Sequence, residues 1–302
     1  MTTPIITVGF VGLGHMGMPM VSRLVDAGVT VRAHDASADA RGAFADAVPG
    51  ATVVGSAGET ATGADAVLLC LPDSDVVEAV VGELDAARVI VDMSSSEPLR
   101  TRALAASLAE SGRVLIDAPV SGGVSGARAG TLAIMVGGPD DVVADLQPVL
   151  AAMGRPRHVG PVGAGHALKA LNNLMSAAHL LASSEAVLVG EEFGLDPAVM
   201  LEVVNGSSGR SGSTENKWPN HILPGTYGAG FGIGLMVKDI HIALDLAGST
   251  SVPTRHAAAT VTVWDEALAA LGPTADHTEI ARWLRETKRS GARPGRTEKG
   301  PS

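Results

Sequence analysis

The stretch Ile5-Ile6-Thr7-Val8-Gly9-Phe10-Val11-Gly12-Leu13-Gly14-His15-Met16-Gly17 decides the reading of this 302-residue chain. Ile5 to Val11 is apolar and rich in β-branched residues, which predicts a strand. Met16, Met20, Val21, Leu24 and Val25 then recur at helical spacing as far as Gly28, a stop signal. Between strand and helix stands Gly-x-Gly-x-x-Gly. In that setting Gly12 permits a tight turn, Gly14 lets a pyrophosphate approach the backbone, and Gly17 lets helix and strand pack closely. The start of the helix offers free N–H groups and a partial positive charge to phosphates. Gly12, Leu13, Gly14, His15, Met16 and Gly17 thus form a candidate dinucleotide cradle. A glycine-rich turn that serves packing alone is the other reading. Asp35 ends the next apolar run, 23 residues after Gly12, where a carboxylate can accept hydrogen bonds from ribose hydroxyls. It would repel a 2′-phosphate, which favours NAD, while Arg32 and Arg41 keep NADP possible. A turn or helix-capping aspartate is the alternative for Asp35.

Outward from this unit the first half of the chain alternates. Val29–His34, Ala66–Leu71, Arg88–Asp92 and Val114–Asp117 read as strands, with Pro98–Ser111 as a helix among them. Strict alternation of strand and helix argues for a parallel sheet covered on both faces. After about Gly160 the pattern changes. Gly165 to Phe193 contains no proline and has helical periodicity throughout, which predicts a helix of about 43 Å. Pro197–Asn205, Ile233–Ala247 and Pro253–Leu271 also read as helices, and the Gly/Ser-rich Gly206–Ser213 as a loop. The expected fold class is α/β: an N-terminal Rossmann-type doubly wound sheet, then an all-α C-terminal domain begun by the long helix. Residues 1–162 are assigned to dinucleotide binding, 163–285 to a helical substrate and dimerisation domain, and 286–302 to a frayed basic tail.

Composition narrows the classes. Hydrophobic residues make up 46% and charged residues 18%, which excludes a disordered chain. The net charge is −10, and it is uneven: Arg285 to Ser302 carries +4, leaving −14 elsewhere. Three Trp, one Tyr and four Phe leave little for stacking bases, against a nucleic-acid partner. Cys70 is the single cysteine, so no intrachain disulfide forms and a reducing compartment is expected. The uncharged start has no basic n-region, and Gly-x-Gly interrupts it, so it is not an export signal. No stretch offers the roughly 20 apolar residues of a membrane span. A cytoplasmic protein is expected.

Candidate chemistry lies in four places. Leu71-Pro72 ends one strand and Ser94-Ser95 follows another, at the carboxyl edge of the sheet where ligands bind in open α/β folds. A turn proline and a serine helix cap are the plainer readings. Asp117-Ala118-Pro119-Val120-Ser121-Gly122-Gly123 reads as a loop whose N–H groups and hydroxyl suit a carboxylate, or as a merely flexible one. Lys169, Asn172, Asn173 and Ser176 recur at i, i+3, i+4 and i+7, one polar stripe on an otherwise Ala/Leu helix. A lysine flanked by amides suits a polar cleft, where desolvation or a nearby cation readies it for acid–base work; an exposed lysine beside exposed amides has the same spacing. Lys238-Asp239 offers a second cation, or surface decoration. No histidine pair has His-x-x-x-His spacing, no Gly-x-Ser-x-Gly elbow occurs, and no Gly-x-x-x-x-Gly-Lys loop occurs. Cys70, inside Leu-Leu-Cys-Leu, reads as a small core residue rather than a nucleophile.

Several of these segments carry a resemblance. Gly9 to Met20, Asp117 to Gly123, Gly130-Thr131-Leu132, Gly163 to Asn173 and Leu235-Met236-Val237-Lys238-Asp239 resemble, in order, the motifs of the β-hydroxyacid dehydrogenase family. This group includes 3-hydroxyisobutyrate dehydrogenases and tartronate semialdehyde reductases. The resemblance runs from about Ile5 to Ala247. It implies Lys169 as catalytic acid/base, Ser121, Gly122, Gly123 and Asn173 as substrate-holding, with Asn172 beside them. It assigns Gly12 to Gly17, Leu71, Pro72, Ser95 and Lys238 to the cofactor. The implied reaction is reversible oxidation of a small 3-hydroxy acid with NAD, and the implied assembly a homodimer or homotetramer.

Two segments depart from the family pattern. Ala275-Asp276-His277-Thr278-Glu279-Ile280 stands where members commonly have Asp-x-Ser-Ala, and Asn216-Lys217-Trp218-Pro219-Asn220 matches no particular substrate. Both are candidates to line an outer pocket. Competing readings are an NADPH-dependent reductase of a small aldehyde acid such as glyoxylate, succinic semialdehyde or tartronate semialdehyde, and a non-catalytic NAD-binding sensor or scaffold. Asp35 decides against the first; Lys169 with both asparagines decides against the second. Imine reductases share the architecture but generally lack this lysine.

Overall fold

A computed structural model describes residues 7–289, so Ile5 and Ile6 of the expected first strand lie outside the described residues. The chain divides into two compact units, Met1–Leu171 and Asn172–Ser302. In the first, strands and helices alternate: β1 (Thr7–Val11), α1 (Gly17–Asp26), β2 (Thr30–His34), α2 (Ala38–Ala47), β3 (Thr52–Val53), α3 (Ala57–Thr60), β4 (Ala66–Leu69), α4 (Ser74–Val81), β5 (Val89–Asp92), α5 (Pro98–Ala109) and β6 (Val114–Asp117). There follow β7 (Val120–Ser121), α6 (Gly123–Ala129), β8 (Leu132–Gly137), α7 (Asp140–Met153) and β9 (Gly154–Gly160). Sheet order is β3-β2-β1-β4-β5-β6-β8-β7, with β9 also on β8. The strands from β3 to β6 are parallel, so order reverses between β1 and β4, the switch point at which doubly wound sheets bind ligands.

Continuous apolar strands follow from burial on both faces. Phe10, Ala33, Leu68, Val91 and Ile116 pack under α1, α2 and α7, whereas Val11, Val67, Leu69, Ile90 and Leu115 pack against α3, α4 and α5. Burying each of these side chains other than Ala33 contributes about 1.5–3 kcal/mol.

Residues Asp117 to Gly123 are not the loop expected from the sequence. Val120 and Ser121 pair antiparallel with Ile134 and Ala133 of β8, and Gly122 and Gly123, at φ +130° and +63°, bend the chain into α6. Only glycine adopts that pair of conformations cheaply.

The second unit is helical. α8 (Ala164–Phe193) runs into it from the first; α9 (Pro197–Asn205), α10 (Ile233–Gly248), α11 (Arg255–Leu271) and α12 (Ile280–Arg289) follow. Asp196 caps α9 by accepting from the N–H groups of Ala198 and Val199, with Pro197 at the first helical position. Trp218, Trp264, Leu180, Ile233, Ile240 and Ile280 centre its core. Between α9 and α10, Ser213–Ile222 forms a wide helical segment in which the Leu223 N–H reaches back five residues to the Trp218 carbonyl. Pro219 has no N–H to give an ordinary helical bond there, which fits the widened winding.

α12 extends through Arg289, so the first residues of the expected tail are helical; Arg285 holds Glu191 through two 2.9 Å contacts. The rest of that tail, 290–302, lies outside the described residues. Among the described residues no helix is long and apolar enough to cross a membrane.

Candidate active site

In the first unit the carboxyl edge of the sheet gathers most of the residues singled out from the sequence. The three glycines do three different things. A Cβ on Gly12, at φ +104°, would stand 2.2 Å from the Cys70 carbonyl oxygen, and one on Gly17 would stand 1.8 Å from the Gly12 carbonyl oxygen. A Cβ on Gly14 would meet nothing within 4 Å. The outer glycines are therefore fixed by packing and the middle one keeps backbone open, which is the arrangement a pyrophosphate needs. The residues present fit a dinucleotide on this count. A cavity of about 480 Å³ opens beside the turn, lined by Leu13, Gly14, His15, Val124 and Arg128. Its lining includes none of Asp35, Leu71, Pro72 or Ser95, so it flanks the expected dinucleotide groove rather than coinciding with it.

Asp35 follows β2 and joins two parts of the edge. Its Oδ2 accepts from the Leu13 N–H at 2.8 Å and its Oδ1 from the Ser37 N–H at 2.8 Å. It thus braces the turn, and each oxygen retains a second lone pair for a ribose hydroxyl. Arg41 donates to the carbonyls of Asp35 and Ala36, and Arg32 to that of Glu59. The two arginines that could neutralise a 2′-phosphate are thereby drawn to main-chain acceptors.

Leu71 and Pro72 follow β4, and Ser95 follows β5. The Leu71 N–H donates to Ser94 Oγ at 2.9 Å, tying these two loops together. Burial pushes the Cys70 thiol up to about 12, with the Asp92 charge adding to it, so it makes a poor nucleophile.

Two buried carboxylates and a buried histidine, Asp117, Asp92 and His166, whose anchoring role the sequence does not reveal, hold the start of α8 to this edge. Asp117, at the end of β6, accepts from the Gly163 N–H at 2.7 Å and the His166 N–H at 2.9 Å. A carboxylate at a helix N-terminus meets both the unpaired N–H groups and the positive end of the helix dipole. Burial pushes the Asp117 carboxyl up, against the opposing pull of His166 and these N–H bonds. Thr101 Oγ1 donates to the Glu97 carbonyl and lies 2.9 Å from His166 Nδ1, so its one proton is used and Nδ1 carries the other. His166 Nε2 faces Asp92 Oδ2 at 3.7 Å, and Asp92 in turn accepts from the Ser94 N–H and the Ser96 hydroxyl. Lys169, one turn after His166, is 8% exposed. The burial excludes the exposed-lysine reading.

In the second unit α8 continues with Asn172, Asn173 and Ser176. Asn172 Nδ2 donates to Asn173 Oδ1 at 3.1 Å, and Asn173 Nδ2 donates to Asp239 Oδ2 at 2.6 Å. Asp239 is the buried neighbour of Lys238 on α10, itself partly exposed. The departing segments also meet here. Lys217 donates to Ser176 Oγ at 2.8 Å, and burial pulls its amine down to about 8. Asp276 accepts from the N–H groups of Gly230, Phe231 and Thr278 and from the Thr278 hydroxyl. His277 sits against the Phe231 carbonyl, and burial, then the Lys217 charge, pulls it down to about 4.

That shift has a stability consequence. The unfolded histidine takes up a proton near pH 6.5 and the folded one only near 4, so stability is lost as pH falls through this window. The loss expected is on the order of 3 kcal/mol. Urea unfolding at pH 7 and pH 4.5 measures it, and His277→Gln should show the smaller drop; equal drops in both proteins would show that His277 is not the source.

Sequence comparison agrees with this geometry. Residues 7–164 match the profile described as the NAD binding domain of 6-phosphogluconate dehydrogenase, and residues 163–284 that described as NAD-binding of NADP-dependent 3-hydroxyisobutyrate dehydrogenase. The 2-(hydroxymethyl)glutarate dehydrogenase of Eubacterium barkeri is 40% identical over 82% of this chain and 84% of its own. The chain belongs to the β-hydroxyacid dehydrogenase family. Human mitochondrial 3-hydroxyisobutyrate dehydrogenase is 38% identical over 82% of this chain and 77% of its own. The solved structure of Mycobacterium tuberculosis 3-hydroxyisobutyrate dehydrogenase with L-serine, 32% identical, covers 93% of this chain and 99% of its own with a TM-score of 0.88. The expected Rossmann-type fold with its helical C-terminal domain is thus borne out. As a β-hydroxyacid dehydrogenase the protein is an oxidoreductase of CH–OH groups that uses NAD or NADP.

Proposed function

We propose that this enzyme is an NAD-dependent dehydrogenase that oxidises the hydroxymethyl group of a small 3-hydroxy acid reversibly to the aldehyde. The relatives named for 3-hydroxyisobutyrate and 2-(hydroxymethyl)glutarate share the unit HOCH₂–CHR–COO⁻, differing in R. The observation that carries the reading is a buried lysine, Lys169, on a helix whose first turn is tied to the carboxyl edge that bears the glycine turn.

Bound dinucleotide supplies the hydride acceptor. In oxidation the neutral Lys169 amine takes the hydroxyl proton; in reduction its ammonium form donates to the carbonyl oxygen. Ser121, Gly122, Gly123 and Asn173 hold the substrate, with Asn172 orienting Asn173. Gly12, Leu13, Gly14, His15, Met16 and Gly17 hold the pyrophosphate, Asp35 the ribose, and Leu71, Pro72, Ser95 and Lys238 the remainder of the cofactor. Residues 1–162 form the dinucleotide-binding domain and 163–285 the substrate and self-association domain, with Ser121, Gly122 and Gly123 of the former also serving the substrate and Lys238 of the latter also serving the cofactor. Val189, Phe193, Val199 and Val203, exposed by 57–84%, support a homodimer or homotetramer. The single cysteine fits a reducing cytoplasm.

The test is a panel of hydroxy acids with NAD, following reduced nicotinamide by absorbance. 3-Hydroxyisobutyrate, 2-(hydroxymethyl)glutarate or serine should be oxidised, and 4-hydroxybutyrate, whose hydroxyl lies one carbon further away, should not; turnover of 4-hydroxybutyrate alone would refute the 3-hydroxy-acid reading. For the cofactor, wild type should favour NAD over NADP by about tenfold or more, and Asp35→Ser should narrow that ratio by about tenfold, the equivalent of 1.4 kcal/mol of removed repulsion. An unchanged ratio would remove Asp35 from cofactor selection.

A further inference from the structure

Lys217 does nothing in the reaction just described, yet it is built as a binding group. Trp218, fully buried, anchors the wide helical segment in the second-unit core, and the preceding side chain, Lys217, reaches Ser176 on α8. Ser176 lies one turn beyond Asn173 on the polar stripe. Among the described residues Ser176 Oγ is the one hydrogen-bond partner of the Lys217 amine, which leaves two of its three N–H donors unused.

Asp276, the carboxylate whose charge acts on Lys217, does not pair with it. Its Oδ2 is taken by the N–H groups of Gly230 and Phe231, and its Oδ1 by the N–H and hydroxyl of Thr278. His277 beside it is held neutral above about pH 4 and brings no negative charge. Removing an ammonium from water without an anionic partner is costly, and the downward pull on Lys217 records that cost. Lys217 is nevertheless only partly buried, so a ligand can reach it.

We infer that Lys217, presented by Ser176 beside Asn173, receives a second carboxylate carried by the R group of the substrate, making this enzyme selective for 2-(hydroxymethyl) dicarboxylates. The inference rests on the hydroxy-acid reading and adds to it the chemistry of R. Ammonium and carboxylate form a charge-assisted pair that a methyl-bearing R group cannot make, and it is in the loss of such a pair that sites of this kind discriminate most.

The test compares kcat/KM for 2-(hydroxymethyl)glutarate and 3-hydroxyisobutyrate, which share the reacting unit, in wild type, Lys217→Met and Lys217→Gln, with glutarate as an inhibitor of 3-hydroxyisobutyrate oxidation. Expected is a wild-type preference for the dicarboxylate of about tenfold or more, expressed mainly in KM. In both variants the ratio should collapse towards one, and glutarate inhibition should weaken by a similar factor. A wild type without that preference, or variants that retain it, overturns the inference while 3-hydroxyisobutyrate turnover leaves the hydroxy-acid reading standing. Oxidation of neither substrate by wild type overturns the inference, and failure to oxidise serine as well overturns both.

Discussion

Lys169→Ala should lower kcat by about 10²-fold or more, the range expected when a general acid/base is deleted. The amine is buried, and no other lysine lies on the polar face of α8, whose remaining members are amides and a hydroxyl. Water is a weaker base at neutral pH and would enter without orientation. Lys169→Arg should do little better, because guanidinium does not surrender a proton in this pH range. NAD titration should separate chemistry from binding: both variants should bind the dinucleotide within a few-fold of wild type, since the cradle lies on the glycine turn. A kcat unchanged in Lys169→Ala would remove the lysine from the chemistry, and with it the case against a non-catalytic cofactor binder.

Gly17→Ala should damage both fold and cofactor affinity. The added methyl would lie 1.8 Å from the Gly12 carbonyl oxygen, well inside any tolerable contact, and that oxygen is backbone, not the end of a movable side chain. Either α1 retreats or the turn opens. The expected cost is about 4 kcal/mol or more, at the far end of single substitutions, with at least about 100-fold weaker NAD binding because the N–H groups lose their common aim. Gly14→Ala is the contrast. Its methyl would meet nothing within 4 Å of the protein, so stability should hold within about 1 kcal/mol, while NAD affinity falls because the methyl occupies the space of the pyrophosphate. Urea unfolding and NAD titration of the two variants distinguish the cases. A Gly14→Ala protein that binds NAD like wild type would show that the open space at the turn is not the phosphate site.

What is legible in the sequence is what is determined locally. The turn from β1 to α1 requires glycines at Gly12, Gly14 and Gly17, and that Gly-x-Gly-x-x-Gly spacing between a β-branched run and a helical one is visible in the sequence itself. α8 can be read because thirty residues of unbroken periodicity leave no room for another element. α9 carries its own cap and proline. Short strands and weak helices are harder. α2 buries only Phe44 among Ala, Asp, Arg and Gly, so it shows almost no apolar face. β9, Gly-Arg-Pro-Arg-His-Val-Gly, has no apolar alternation; it forms because β8 offers it an unpaired edge, with a register shift at Val136/Gly137. Val120 and Ser121 are a strand only because Ile134 and Ala133 lie opposite.

The site divides the same way. Motif positions on turns and on one helix face are visible, whereas partnerships across 46 to 66 residues are not: Asp117 with Gly163 and His166, or Asn173 with Asp239. The Asp117 bonds also explain why the boundary between the compact units falls inside α8, between Leu171 and Asn172, since its first turns are bonded to the sheet. His166 precedes Lys169 by one helical turn, and that spacing is the available clue. Lys217 stands in a segment that departs from the family pattern, but its burial depends on Trp218 and on α8 and cannot be read from neighbours in sequence.

The central claim, that one lysine holds the proton exchanged with the substrate hydroxyl, is tested most directly by kcat as a function of pH in both directions, for wild type and Lys169→Ala. Oxidation needs the neutral amine and should accelerate with rising pH to a plateau; reduction needs the ammonium and should slow over the same interval. Both pH-dependent limbs should be missing from the variant. Limbs of the same shape and height in Lys169→Ala would contradict the assignment and place the acid/base elsewhere.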